Sequence, residues 1–325
     1  MQVSPYHISL VVPVYNESAG IRAFHERAVK ALAALPGASF EIVYVDDGSG
    51  DDSFAQLARF AADDARVSVV KLSRNFGHQI AITAGLDRAR GDCVVVIDAD
   101  LQDPPEVIAR MVDKWRDGFD VVYGVRTKRR GDGVLKRLTA SLFYRLLDRI
   151  TGINILVDVG DFRLMSRRAA DELNRLREKD RFVRGLVSWI GFAQTGVAYE
   201  REPRHAGETK YPLGKMLKFA LDGITSFSSA PLKLATWLGY ATSLLAFLYL
   251  ASVFVQRFLG MTVPGWATIM VALLFLGGVQ LICLGIIGEY LGRVFHEIKP
   301  RPIYVVDTVV GGAEPNAPPV RPPSP

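Results

Sequence analysis

Cysteine is scarce in this sequence, because its 325 residues include only Cys93 and Cys283. The two lie far apart and form no Cys-x-x-Cys pair, which argues against a disulfide framework and against a zinc site. Cys93 begins a strand-like pattern and Cys283 lies in an apolar run. Both are therefore expected to be core residues.

The N-terminus lacks a basic start followed by a long apolar region. We therefore expect no cleavable signal peptide and an N-terminal part that stays in the cytosol. With 49% hydrophobic residues the composition is too apolar for a disordered protein, and the length suits two domains. The formal net charge of +5 indicates a polyanionic partner, namely nucleic acid, anionic lipid or phosphates.

Charge is missing from two runs in the C-terminal third, residues 235–255 and 266–288. Each exceeds the roughly 20 residues that cross about 30 Å of hydrocarbon, which predicts two transmembrane helices. The basic residues around them are Lys233 before the first run, Arg257 between the runs, and Arg293, Lys299 and Arg301 after the second. The positive-inside rule then places both flanks in the cytosol and the hairpin turn outside. Two buried helices of a soluble core are the alternative.

The segment before the first run, residues 213–232, has apolar residues on one helical face and Lys215, Lys218 and Asp222 on the other. This pattern predicts an amphipathic helix at the membrane interface, with packing against the globular domain as the alternative. The predicted organisation is a globular domain over 1–212, this juxtamembrane helix, a transmembrane hairpin over 233–292 and a cytosolic tail over 293–325. The tail is rich in proline and is expected to be disordered from about residue 311.

Up to about residue 160 short β-branched runs alternate with helical patterns, which favours a mainly parallel α/β sheet covered by helices on both faces. The predicted strands are residues 8–14, 41–46, 67–72, 93–98 and 120–123, and the predicted helices lie near 18–35, 53–62, 78–89 and 104–117. Ligands of such sheets bind at the carboxyl ends of the strands. Three polar clusters fall at those ends: PVYNE (13–17), VDDGSGDDS (45–53) and DADLQ (98–102).

A Gly-x-Gly-x-x-Gly turn is absent after the first strand, so a pyrophosphate is not held there as in a dinucleotide-binding unit. If a diphosphate binds, another group must neutralise it. A divalent cation on Asp98 and Asp100 would do so, because hard oxygen ligands suit Mg²⁺ or Mn²⁺. A solvated turn is the alternative, but two further acidic strand ends beside this one favour a metal site.

Six segments, followed by the two apolar runs, resemble the family 2 glycosyltransferases that load a sugar onto a polyprenyl phosphate: VVPVYNE, VDDGSGDDS, SRNFGHQIAITAGLDRARGD, DADLQDPPE, GDFRLMSRR and RHAGETKYPLGKM. The likeness is greatest to the bacterial bactoprenol (undecaprenyl phosphate) glucosyltransferases and their aminoarabinose-transferring relatives, with dolichol-phosphate mannose synthases as more distant kin. It covers about residues 6–300. The resemblance implies a Rossmann-like nucleotide-sugar domain of the GT-A type and an inverting transfer that depends on Mg²⁺ or Mn²⁺.

The resemblance also implies residue roles in a nucleotide-sugar site. The residues that it assigns there are Pro13, Tyr15, Glu17, Asp46, Asp98, Asp100 and Gln102. Asp46 would contact the base, while Asp98, Asp100 and Gln102 would hold the metal and the diphosphate. The simpler interpretation of Glu17 is a charge that complements a helix N-terminus.

A phosphate acceptor would be anionic already at pH 7, because its second ionisation lies near pH 6. A strong base is then dispensable, and cations are needed instead. The residues predicted to meet the acceptor phosphate are Arg126, Lys136, Arg137, Arg163, Arg201, Arg204 and Lys210, with Lys136 and Arg137 ambiguous by one position. Attraction of anionic lipid headgroups is the alternative for the basic residues that follow Arg126.

Asp161 resembles the catalytic aspartate of the bactoprenol glucosyltransferases. Because the acceptor is ionised beforehand, we predict that Asp161 orients the sugar or the nucleophile near the anomeric carbon and is not an obligatory base. A structural pairing with Arg163 or Arg167 is the alternative. The predicted catalytic residues are thus Asp161, Asp100 and Arg126, and His78 is expected to begin a helix near the donor site.

The predicted reaction is transfer of glucose from UDP-glucose to undecaprenyl phosphate, which makes a lipid-linked donor for cell-envelope glycosylation. GDP-mannose, UDP-N-acetylglucosamine and UDP-aminoarabinose stay open as donors, because no residue separates them. The absence of Gln-x-x-Arg-Trp disfavours a processive polysaccharide synthase, and the intact acids disfavour a silent scaffold. The expected location is the inner (cytoplasmic) membrane, multi-pass, with the catalytic domain and both termini in the cytosol. Membrane lipids are expected partners and nucleic acid is not, and only the resemblance suggests a homotetramer.

Overall fold

The structure is a computed structural model that describes residues 4–126, 159–201, 230–260 and 265–312. The chain divides into two compact units. Within the described residues, one is a globular unit with an eight-stranded sheet, and the other contains two long helices.

The globular unit alternates strands with helices along the chain. Its strands are β1 (Tyr6–Val14), β2 (Ala38–Asp46), β3 (Val67–Leu72), β4 (Cys93–Val96), β5 (Val121–Arg126), β6 (Val159–Ser166), β7 (Gln194–Tyr199) and β8 (Val306–Gly311). Its helices are α1 (Ile21–Ala33), α2 (Ser53–Asp63), α3 (His78–Leu86), α4 (Val107–Arg116), α5 (Arg167–Arg175) and α6 (Val183–Ile190). The strand order is β7-β5-β6-β4-β1-β2-β3-β8. Strands β1 to β4 are parallel to one another, whereas β6 and β8 run antiparallel to their neighbours. The predicted α/β fold with a mainly parallel sheet is confirmed.

The apolar sequence of the central strands explains why they lie inside the sheet. Eight of the nine residues of β1 are buried, a near-continuous pattern that is typical of strands covered on both faces. The register pairs Val14 with Asp46 on β2 and Val11 with Val96 on β4. The polar residues that follow β1, β2 and β4 therefore emerge along one edge of the sheet.

Gly85 allows α3 to lie close against the sheet. A Cβ atom at this position would be 2.3 Å from Val11 Cγ1 and 3.2 Å from Val45 Cγ2. We expect Gly85→Ala to lower the free energy of unfolding by about 1–3 kcal/mol, because the added methyl group overpacks a buried contact. Denaturant unfolding of the detergent-solubilised protein measures this effect. Gly20→Ala is the control, since a Cβ at Gly20 meets nothing within 4 Å, and an equal loss in both variants would contradict this explanation.

The sheet contains three strands that the sequence analysis did not predict, namely β6, β7 and β8. The last lies in the segment predicted to be a tail, residues 293–325, and is antiparallel to β3, with Val309 opposite Val70. The backbone N–H of Ser73 donates to Val305 O at 2.9 Å just before this strand. The tail boundary is therefore corrected, because the described residues from 302 onward belong to the globular unit. Residues beyond 312, where disorder was predicted, lie outside the described residues.

The described part of the second unit contains α7 (Ala230–Phe258) and α8 (Trp266–Glu297). Cys283 Sγ lies 3.6 Å from Ala235 O, so the start of α7 meets the second half of α8. Both helices are long and apolar enough to cross a membrane, and their most apolar stretches are not buried against the rest of the described residues. Core helices of a soluble protein would bury them. The predicted amphipathic helix at 213–232 falls outside the described residues, except for its end within α7.

Candidate active site

The loops that follow β1 and β2 are tied together by hydrogen bonds. Gly50 N donates to Asn16 Oδ1 at 2.8 Å, and Asn16 N donates to Ser49 Oγ at 3.0 Å. Asn16 has a left-handed φ of 55°, which asparagine tolerates better than most residues. Glu17 N donates to Ser53 Oγ at 2.9 Å. These bonds fix the segment after β1 as one wall of a cleft.

The cleft lies at the carboxyl ends of β1, β2 and β4 and has a volume of about 150 Å³. It is lined by Pro13, Val14, Tyr15, Glu17, Asp47, His78, Asp98, Ala99 and Asp100. Five of these residues are among those that the sequence analysis assigned to a nucleotide-sugar site. Tyr15 is 49% exposed, so its ring is available to a ligand.

Of the two acids at the end of β2, it is Asp47 that lines the cleft. Its carboxylate accepts hydrogen bonds from the backbone N–H groups of Phe76 (2.7 Å) and Gly77 (2.9 Å), and these bonds hold the turn into α3. Asp46 is fully buried, and burial raises the pKa of its carboxyl group. Its Oδ1 has no hydrogen-bond partner among the described residues. A contact between Asp46 and a nucleotide base stays a prediction.

Asp98, the first acid after β4, lies where its ionised form is unfavourable. Burial raises the pKa of Asp98 to about 6, and the nearby carboxylates of Asp161 and Asp100 add to the shift although His78 opposes it. Asp100 Oδ1 accepts a hydrogen bond from the backbone N–H of Gln102 at 3.1 Å. Between them Leu101 adopts a left-handed φ of 59°, a conformation that costs energy for a residue with a Cβ atom.

These residues fit a divalent cation that is bound together with a diphosphate. Asp98 Oδ1 is buried and has no hydrogen-bond partner among the described residues, and a cation beside it would favour the ionised form. The described residues contain no group of three or more His, Cys, Asp and Glu side chains that could hold a metal. Two carboxylates suffice when phosphate oxygens and water fill the remaining positions, as is usual for Mg²⁺.

Asp161 on β6 is the centre of a hydrogen-bonded cluster. Its Oδ2 lies 3.2 Å from His78 Nε2 and accepts from Gln79 Nε2 at 3.2 Å. Arg184 on α6 binds it in a bidentate manner, with Nε 3.0 Å from Oδ1 and Nη2 3.2 Å from Oδ2. Burial alone would raise the pKa of Asp161, but the His78 hydrogen bond and the charges of Arg184 and Arg163 outweigh it and hold this pKa far below its ordinary range. Asp161 is therefore an ionised and firmly oriented carboxylate.

Arg163, which was predicted to meet the acceptor phosphate, is only 3% exposed. Its Nη2 donates to Gly160 O at 3.0 Å and lies 3.7 Å from Asp161 Oδ1. Burial lowers the pKa of its guanidinium to about 10, although the charge of Asp161 opposes this shift. A contact with the acceptor does not fit this position. Arg163 supports Asp161 instead, which is the structural pairing that the sequence analysis had kept as an alternative.

Two of the other predicted phosphate-binding cations belong to the described residues. Arg126 ends β5 and lies beside Gly160, where a Cβ atom would be 2.6 Å from Arg126 Nη2. Its guanidinium therefore lies against the backbone just before Asp161. Arg201 follows β7, with 35% of its side chain exposed. Lys136, Arg137, Arg204 and Lys210 lie outside the described residues.

The sequence analysis did not predict two members of the Asp161 cluster, Gln79 and Arg184. It placed a third, His78, near the donor site but did not predict its contact with Asp161. His78 begins α3 as predicted, but its Nε2 also lies 3.5 Å from Asp98 Oδ1, so it bridges the two acids. Gln79 Oε1 accepts from Val183 N at 3.0 Å and joins α3 to α6. No local signal marks Arg184, because its partner stands on another strand.

The site combines an open, mainly parallel sheet, acids at the carboxyl ends of its strands and the Asp161 carboxylate held by Arg184, as the resemblance to GT-A glycosyltransferases predicts. Residues 9–173 match glycosyl transferase family 2, and residues 230–294 match the GtrB C-terminal hairpin family. The chain therefore belongs to glycosyl transferase family 2.

Known relatives match nearly the whole chain. An uncharacterized glycosyltransferase of Bacillus subtilis, YkcC, is 52% identical over 93% of this chain and 94% of its own length. A prophage bactoprenol glucosyl transferase homolog of Escherichia coli is 42% identical over 93% and 99%. The bactoprenol glucosyl transferase of Shigella phage SfII is 43% identical over 92% and 97%.

A solved structure of glucosyl-3-phosphoglycerate synthase from Mycobacterium tuberculosis, in complex with Mn²⁺, UDP and glucosyl-3-phosphoglycerate, is also similar. It is 22% identical, with a TM-score of 0.45 over 68% of this chain and 78% of the other.

Proposed function

We propose that this protein transfers glucose from UDP-glucose to undecaprenyl phosphate, with inversion at the anomeric carbon and with help from a divalent cation. The observation that carries the proposal is that the chain joins an acidic glycosyltransferase cleft to an apolar hairpin. The bactoprenol glucosyl transferases are similar to it across both parts, over 92% of the chain. The product would be a lipid-linked sugar donor for glycosylation of the cell envelope.

The acids of the cleft suit a nucleotide-sugar diphosphate. Asp98 and Asp100, with Gln102 beside them, would hold Mg²⁺ or Mn²⁺ on the diphosphate. The cation would act as a Lewis acid that stabilises the departing UDP. Pro13, Tyr15 and Glu17 form the wall of the cleft on the β1 side and would bind the nucleoside.

Asp161 suits an orienting role better than that of a base. An attacking phosphate oxygen is anionic at pH 7 and forms the new bond to the anomeric carbon, while the bond to UDP breaks and UDP takes the electron pair. No proton has to be removed from this nucleophile. A carboxylate with a strongly lowered pKa is a poor proton acceptor. Asp161 instead fixes the positions of His78, which lines the cleft, and of Gln79 and Arg184 beside it.

The proposed location is the inner (cytoplasmic) membrane, with the catalytic domain on the cytosolic side. The basic residues Lys233, Arg293, Lys299 and Arg301 flank the two apolar helices, and only Arg257 lies between them. If α7 and α8 span the bilayer, the positive-inside rule therefore favours cytosolic flanks.

A transfer assay with radiolabelled nucleotide sugars tests the proposal. Membranes that contain the protein are incubated with undecaprenyl phosphate and, in turn, UDP-glucose, UDP-galactose, UDP-N-acetylglucosamine and GDP-mannose. We expect label from UDP-glucose in a lipid that mild acid cleaves. If only another nucleotide sugar labels the lipid, that nucleotide sugar is the donor. Label in a polymer would indicate a processive synthase, and no label in any fraction would indicate a silent scaffold.

A further inference from the structure

Asp103 is a buried carboxylate that the proposed reaction has not yet used. Its side chain is only 1% exposed, although it follows Asp98 and Asp100 in the same loop. The Tyr199 hydroxyl donates a hydrogen bond to its Oδ1. Arg126 Nη2 lies 3.5 Å from Oδ2, and Arg201 Nε lies 4.0 Å from Oδ1. One carboxylate thus contacts a tyrosine and two arginines from two different segments, the end of β5 and the end of β7 with the residues just after it.

Arg126 contacts Tyr199 as well as Asp103. Its Nε donates to the Tyr199 hydroxyl at 3.3 Å, so Tyr199 connects the arginine to Asp103 a second time. Gly160 leaves room for the guanidinium on the other side. Tyr199 is fixed in turn, because its ring packs edge-to-face on Phe162 with centroids 5.7 Å apart, and a Cβ at Gly124 would be 2.7 Å from its Cε1.

We propose that Asp103 is a positioning residue, which through Tyr199 holds Arg126 and Arg201 side by side as a receptor for the phosphate of the acceptor. This inference rests on the proposed function, because it assigns the acceptor phosphate to these two guanidinium groups. Asp103 itself does not touch the acceptor.

The charges of this cluster suit one anion. Two guanidinium groups and one carboxylate sum to a net charge of +1, so part of the positive charge is left to attract a phosphate. Arginine binds phosphate through a planar fork of N–H groups, and the geometry of the fork counts as much as its charge. The carboxylate would therefore serve to orient the two forks.

Two opposite outcomes separate positioning from simple electrostatics. If Asp103 acted only by its charge, its removal would strengthen acceptor binding, because one negative charge near an anionic ligand would be lost. If it positions the arginines, its removal weakens acceptor binding. The sign of the change in acceptor KM therefore decides between the two effects.

The test is steady-state kinetics of Asp103→Asn in the full-length protein, with undecaprenyl phosphate and UDP-glucose varied separately. We expect the acceptor KM to rise about tenfold or more, since arginines that lose a buried partner lose their fixed geometry. The affinity for UDP-glucose, measured by calorimetry, should change less than about threefold, as expected for a ligand that does not contact the altered group. Tyr199→Phe removes only a hydroxyl group and should give a smaller rise of the same kind.

A double variant tests whether Asp103 acts through Arg126. Arg126→Ala alone should raise the acceptor KM, and adding Asp103→Asn should raise it little further, because residues that act as one unit are not additive. Full additivity would overturn the proposal. So would an acceptor KM that is unchanged or lowered in Asp103→Asn.

Asp120→Asn is the matched control for a purely structural effect. Asp120 precedes β5, is 4% exposed and holds Arg168 at 2.5 Å, so it forms a similar pair at the other end of the strand that carries Arg126. It should lower thermal stability and leave both KM values unchanged. A wild-type protein without transfer to undecaprenyl phosphate would refute the proposed function, whereas an active wild type with equal effects from Asp103→Asn and Asp120→Asn would refute only this inference.

Discussion

Asp161→Asn is expected to lower turnover about 10²–10³-fold, the usual effect of removing one preorganised electrostatic group from an active site. Donor affinity should change less than about threefold, because Asp161 contacts His78, Gln79 and Arg184 and is not among the residues that line the cleft. The substitution would therefore slow the chemical step and leave donor binding nearly unchanged. Single-turnover rates, together with UDP-glucose titrations by calorimetry, measure the two quantities separately.

The stability of this variant needs its own measurement. Arg163 is buried beside Asp161, and removal of one partner of a buried ion pair costs about 3–5 kcal/mol. Rates should therefore be scaled to the fraction of protein that binds donor. An equal loss of donor affinity and turnover would argue against an orienting role.

The pH dependence of turnover provides a second check on Asp161. Its pKa is held far below the ordinary range, so any stability linked to its ionisation is lost only as the pH falls through that low value. It therefore stays ionised between pH 5.5 and 8. Turnover should decline only below about pH 6, where the acceptor phosphate takes up its second proton and the Asp98 carboxyl group, with its pKa raised to about 6, also becomes protonated. A wild-type profile that follows a carboxyl pKa near neutrality and loses that feature in Asp161→Asn would identify Asp161 as a base.

The sequence was sufficient to predict the parallel half of the sheet, because β1 to β4 are short apolar runs between helical patterns. It was insufficient for β6, since Asp161 and Arg163 interrupt the apolar pattern of VGDFRLMS. Both side chains are buried against each other, so each charge offsets the other inside the protein. A pattern of apolar residues does not reveal such a pair. Strand β8 was missed because its pairing with β3 joins residues more than 200 positions apart.

The same distinction holds for the candidate site. Acids at strand ends can be predicted from sequence alone, and Asp98 and Asp100 are examples. Asp103 lies in the same acidic loop, but its role depends on Tyr199, 96 residues later. Arg163 was assigned by charge to the acceptor, whereas its burial makes it a partner of Asp161. Contacts between segments that are distant in sequence decide these roles.

Asp98→Asn should lower turnover about 10³-fold, because the loss of a metal ligand removes several kcal/mol of transition-state stabilisation and each 1.36 kcal/mol is a factor of ten. In the wild type Mn²⁺ should raise the affinity for UDP, and in Asp98→Asn this Mn²⁺-dependent gain in UDP affinity should disappear. Calorimetric titration of UDP with and without Mn²⁺ measures it independently of catalysis. Asp47→Asn is the control within the same cleft and should keep the gain, since backbone N–H groups occupy the Asp47 carboxylate.

The metal-free stability of Asp98→Asn should change in the opposite direction to its activity. Burial raises the pKa of Asp98 from 3.8 to about 6, so the folded protein binds more protons than the unfolded chain between these values. Stability of the wild type then falls as the pH rises through this window and stays reduced at pH 7. Asparagine carries no charge at any of these pH values, so the variant should melt at a higher temperature than the wild type at pH 7 without metal, and Mn²⁺ with UDP should narrow the difference. A variant that melts lower without metal and still shows the Mn²⁺-dependent gain would mean that Asp98 supports the fold and that the cation binds elsewhere.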